Sequence, residues 1–145
     1  MKKTNLILVI TLLLFLLTSC KVKTYSKEKY VDCFYNYHVL QKKDNACIDL
    51  RELDEYSKGH IKGFVNYNYK QGSKEEFIQY MTSMYDKDIY IFLIDDYGDH
   101  VEKAADILKK EGYKRIIICD VGYNDLEEYA KKHLQIVEGI DDCNC

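Results

Sequence analysis

Ile89-Tyr90-Ile91-Phe92-Leu93-Ile94-Asp95-Asp96-Tyr97-Gly98-Asp99-His100-Val101 is the stretch that decides the fold. Residues 89–94 are an unbroken β-branched, aromatic and aliphatic run, as expected of a strand covered on both faces in a parallel sheet. The polar residues 95–100 then form a loop, and Val101, Ala104, Ala105 and Leu108 recur at helical spacing until Gly112. Strand, loop and helix in this order make half of a parallel crossover. Downstream, Arg115 to Cys119 predicts another buried strand, and residues 125–133 another helix. Upstream, Ala46 to Leu50 has strand length, 52–57 predicts a helical turn ended by Gly59, and 64–69 alternates as a short strand. Residues 73–85 are amphipathic through Phe77, Ile78, Met81 and Met84 behind a Ser73 cap. Residues 27–43 align Tyr30, Cys33, Phe34, Tyr37 and Leu40 on one helical face behind Ser26. This alternation predicts the α/β class: a single three-layer domain, a parallel sheet of roughly five strands and helices on both faces. Sites in such sheets form at the carboxyl ends of the strands, here the loops after Leu50, Ile94 and Cys119.

Composition narrows the possibilities further. A length of 145 residues suits one domain, and 47% hydrophobic residues exclude a disordered chain. The absence of proline excludes collagen-like and proline-rich linker architectures. A net charge of −3 argues against nucleic acid as a partner, because such binders carry a basic face.

The first twenty residues address the compartment. Lys2 and Lys3 precede an apolar run from Leu6 to Leu17, and Thr18-Ser19-Cys20 follows, the layout of a secretory signal. Leu17-Thr18-Ser19-Cys20 resembles the bacterial lipobox, in which the Cys is acylated and becomes the new N-terminus. That resemblance implies a signal peptide over 1–19, a palmitate-bearing Cys20 and a tether over 20–25; the expected domain then runs over 26–138, with a Cys-containing tail over 139–145. It places the chain on the extracytoplasmic side of a bacterial membrane, at the cell surface or in the periplasm. A multiply acylated Cys holds stably, since a single chain binds only marginally.

The loops carry a second resemblance. Ile48-Asp49-Leu50-Arg51-Glu52, Glu55-Tyr56 and Gly59-His60-Ile61-Lys62-Gly63, followed by Lys103 to Leu108 and Gly112-Tyr113, resemble the signatures of the rhodanese-like domain family over roughly residues 26–135. The resemblance makes Asp49, Arg51, Gly59, His60 and Gly63 signature residues. Asp49 and Arg51 fit a loop-pinning charge pair as well as an active-site role, and Gly59 and Gly63 flank a turn that needs backbone freedom. Active members place a Cys at the end of the central strand, inside a loop whose N–H groups point inward and hold a persulfide or anion. Here the equivalent loop is Asp95-Asp96-Tyr97-Gly98-Asp99-His100, with Asp95 at the nucleophile position. A carboxylate cannot carry a sulfane sulfur, and the acids repel anionic substrates.

The expectation is therefore a membrane-anchored, catalytically inactive binding or structural module with no catalytic residue, cofactor or metal. Its partners are the membrane, through the lipid, and a protein or small molecule that the sequence does not name. Two alternatives stand beside it: a thiol enzyme using Cys119 or the Cys143/Cys145 pair, and a divalent-cation or small-ligand binder using Asp95 to His100. Cys33 and Cys47 fall on predicted packed elements.

Overall fold

The structure is a computed structural model and describes residues 21–140. The leader, Cys20, Cys143 and Cys145 lie outside the described residues. In chain order the elements are β1 (Lys21–Tyr25), α1 (Lys27–Phe34) running into a π-helical segment (Tyr35–Leu40), β2 (Asn45–Asp49), α2 (Leu53–Lys58), β3 (His60–Ile61) and β4 (Val65–Asn66). They continue with α3 (Lys74–Met84), β5 (Tyr90–Ile94), α4 (Val101–Lys110), β6 (Arg115–Cys119), α5 (Tyr123–His133) and β7 (Ile136–Val137).

Five strands form one parallel sheet in the order β1-β6-β5-β2-β4, and β3 pairs antiparallel with β7 apart from it. The expected architecture is present. Phe92 and Ile94 of β5 pack into one layer with Tyr30, Phe34 and Phe64, while Ile91 and Leu93 pack into the other with Phe77, Ala104 and Leu108. Alternate residues of one continuous apolar run thus feed two separate cores, which is why β5 lacks polar positions.

Local signals explain the helix starts. The Ser26 side chain accepts from Lys29 N–H, and Ser73 with Glu76 forms a complete capping box. Four expectations differ from what is observed. The helix expected over 27–43 changes to π-helical hydrogen bonding at Tyr35, with Gln41 N–H donating to Asn36 O at 3.0 Å. The strand expected over 64–69 is only Val65–Asn66. Residues 21–25, expected within a tether, are the edge strand β1, in register with β6 from Lys21↔Arg115 to Tyr25↔Cys119. An edge strand needs apolar residues on few positions, and Val22 and Tyr25 supply the contacts with the two cores while the lysines stay outside. At the other end, Gly139 N–H donates to Ser57 O at 2.8 Å, so chain expected as tail is tied to α2.

Candidate functional site

β2, β5 and β6 end side by side, so the loops after Asp49, Ile94 and Cys119 meet at one edge of the sheet. Beneath them, Asp49 and Arg51 form a buried ion pair, Nη2 to Oδ2 2.7 Å and Nε to both carboxylate oxygens 3.0 Å. Arg51 Nη2 also donates to Gly59 O at 2.8 Å, and its guanidinium lies 3.6 Å from the centre of the Tyr123 ring. One arginine therefore joins the β2 loop, the start of β3 and the start of α5. Burial drives the Tyr123 hydroxyl up to about 12 against the opposing pull of Arg51. Asn66 Nδ2 closes the same loop through Asp49 O at 3.2 Å and Arg51 O at 2.8 Å. Arg51 is thus oriented inward by partners from several elements, as a pin for the loops.

His60 is fully buried, stacks on Tyr56 with ring centres 3.7 Å apart, and places Nδ1 3.1 Å from Tyr56 O. It packs the turn and lies away from open space. Gly63 takes φ 95°, a left-handed backbone that uses the freedom expected of the turn, whereas Gly59 is extended at φ 166°.

The loop from Asp95 to His100 is organised by its first residue. Asp95 is only 3% exposed, and its carboxylate turns back into its own loop. Oδ1 accepts from Gly98 N–H, and Oδ2 accepts from His100 N–H at 2.5 Å, with the His100 ring Nδ1 3.5 Å from Oδ2. The loop turns its amides inward at Gly98, where φ is 92°, a backbone that side chains resist. α4 begins immediately afterwards, so its dipole also favours negative charge here. The concave array of N–H groups is filled by a carboxylate from the same chain.

The other loop residues diverge. Asp96 lies 3.7 Å from Lys70 Nζ, Tyr97 is 73% exposed, and Asp99 faces solvent. Among the described residues no group of three or more His, Cys, Asp or Glu side chains is placed to hold a metal ion. The cation set considered for Asp95 to His100 is therefore not assembled.

Cys119 ends β6 and, with Thr24, Tyr97, Gly98 and Asp99, lines a shallow cavity of about 350 Å³. The expected proximity of Cys119 to the loop is present, but the residue is 3% exposed and burial pushes its thiol up to about 11. Cys47 is buried and raised well above the usual thiol range by the same cause, and Cys33 is raised more modestly. Each of these environments disfavours the thiolate.

Three contributors were not singled out in the sequence. Tyr123 covers Arg51, Lys70 bridges Glu52 and Asp96, and Gly122 lets α5 approach the loop. A Cβ on Gly122 would sit 2.1 Å from Asp96 O and 2.4 Å from Tyr97 Cα. Tyr123 N–H donates to Asp95 O at 2.7 Å across that contact. A Gly-Tyr pair after a buried strand was the available signal, but its partner lies on a loop more than twenty residues away.

The rhodanese-like domain family matches residues 36–129. Over 127 residues the chain is 27% identical to the uncharacterized protein YibN of Escherichia coli K12, covering 86% of this chain and 82% of YibN. The thiosulfate sulfurtransferase of Pseudomonas aeruginosa superposes with a TM-score of 0.60 at 19% identity, over 81% of this chain and 20% of that one, a likeness of fold. A structure described as a rhodanese with anions from Escherichia coli gives a TM-score of 0.50 at 25% identity, over 66% of this chain and 100% of that chain.

Proposed function

We propose, from the premise that this chain belongs to the rhodanese-like domain family, that it is a catalytically inactive member serving as a binding or structural module on a bacterial membrane. The observation that carries this reading is the Asp95 carboxylate. It directly follows the central strand and accepts the inward N–H groups of Gly98 and His100. In the family resemblance a nucleophilic Cys stands at that position, and the cradle serves a persulfide or an anionic substrate. Here the cradle already holds a fixed anion that cannot accept sulfur or leave. A dianion such as thiosulfate approaching to about 4 Å would be repelled by about 2 kcal/mol per carboxylate even at the dielectric of water. Cys119 gives no substitute nucleophile, because its thiol stays protonated far above neutral pH.

The anchor is the acyl group that the lipobox resemblance puts on Cys20. Among the described residues no helix is long and apolar enough to cross a membrane. The loop end of the sheet, with Tyr97 and Asp99 exposed, is the surface offered to a protein or small-molecule partner.

Two measurements test the two halves. Purified protein given thiosulfate and cyanide produces no thiocyanate above the protein-free rate; turnover above that rate would contradict inactivity, and its loss in Cys119→Ser would assign it to that thiol. Cells fed labelled palmitate incorporate it into this chain and lose the label in Cys20→Ala; an unlabelled parent would remove the anchor.

A further inference from the structure

Opposite the candidate site, the strands of the parallel sheet begin and α3, α4 and α5 end. β1 opens on Lys21, β6 is entered through Lys114 and Arg115, and Lys87 leads into β5. The last turn of α4 carries Lys109 and Lys110, and Lys42 and Lys43 lead into β2. All of these side chains are exposed. Among the described residues they outnumber the acids of the same end, Asp44, Asp86, Asp88 and Glu111. Asp88 is already paired with Lys114 at 2.7 Å. Within this end, Lys21, Lys23, Lys114 and Arg115 line a concavity of about 160 Å³ together with Tyr90 and Ile117, and among the described residues no carboxylate lines it. The opposite end carries Asp95, Asp96, Asp99, Asp120 and Asp125 in the loops after β5 and β6. Charge is therefore separated along the strand direction in a chain that is acidic as a whole.

We infer that the basic end is a binding face for the anionic headgroups of phospholipids, which docks the domain with its strand starts on the membrane and its loop end turned away. Charge complementarity is one argument: a cluster of cations beside an anionic bilayer is held by its surface potential. Chain position is the other. β1 begins at Lys21, the residue that follows Cys20 directly, and it is hydrogen-bonded into the sheet from its first residue. This second argument rests on the reading that Cys20 is lipidated. With no tether between lipid and sheet, an anchored domain stands on whichever surface surrounds Lys21, and that surface is basic.

The test removes the lipid so that only the face is measured. The chain from residue 20 onward, which holds every described element, is prepared with Cys20→Ser and sedimented with phosphatidylcholine vesicles and with vesicles also containing phosphatidylglycerol. Binding is expected only to the anionic vesicles, and it falls as salt is raised, because screening shortens the reach of exposed charges. Changing Lys21, Lys23, Lys114 and Arg115 together to Gln lowers the partition coefficient by more than about a hundredfold, since each cation near an anionic surface contributes about a fivefold factor. Changing Lys27, Lys58, Lys74 and Lys103 to Gln removes the same charge from the loop end and leaves binding within about twofold on the same reasoning. Circular dichroism melts confirm that both variants fold. No binding to anionic vesicles, or equal loss in the two variants, would overturn the proposal. Displacement by millimolar inorganic phosphate would assign the concavity to free phosphate and overturn it as a lipid site. Missing acylation at Cys20 would contradict the anchor alone, because the vesicle result is obtained without it.

Discussion

Asp95 decides the chemistry of the loop by turning inward. That it is acidic was legible in the sequence. That its two oxygens would take the Gly98 and His100 amides was not, because that depends on the left-handed backbone at Gly98. Replacing Asp95 with Ala leaves these donors without an acceptor in a site only 3% exposed. Urea unfolding of Asp95→Ala should show a loss of about 1–3 kcal/mol, and Asp95→Asn, which keeps an acceptor oxygen, a smaller one. Arg51 is held more deeply. Arg51→Ala strands the Asp49 carboxylate in the core and should cost about 3–5 kcal/mol in the same measurement. Cys119 gives the pH prediction. Its thiol is raised to about 11 by burial, so alkylation should be very slow near neutrality and accelerate toward that value. Fast modification of Cys119 at pH 7.5, read by mass spectrometry of the folded protein, would contradict the burial account.

At the scale of elements, β2, β5 and β6 were legible because strands covered on both faces read as apolar runs. β1 was not, since an edge strand with three exposed positions out of five has the same composition as a linker. β3 and β7 are two residues each and carry no periodicity to read. The packing of α5 on the loop was equally hidden, because it depends on a non-local approach that only Gly122 permits. Gly122→Ala would place a methyl group inside the Asp96 carbonyl. It should destabilise the protein by about 1–3 kcal/mol or more through forced displacement of the 95–98 loop. Amide exchange at Tyr123, bonded to Asp95 O, would accelerate with it; an unchanged rate would show that the two loops are not mechanically joined.

The whole molecule joins a rhodanese-like fold to a loop whose Gly98 and His100 amides are met by its own Asp95 carboxylate. The α/β class and the placement of the loops at the strand ends followed from alternation alone. The separation of charge between the two ends of the sheet did not, because residues such as Lys21, Lys43, Lys87 and Arg115 are scattered along the chain and gathered only by parallel topology. The most direct test of the central claim is to follow the backbone amides of Gly98 and His100 by NMR while thiosulfate is added. With Asp95 occupying the cradle, neither resonance should move beyond the general salt effect seen with chloride. A saturable shift of both amides in the unmodified protein would show that the cradle takes an external anion, and would contradict the account.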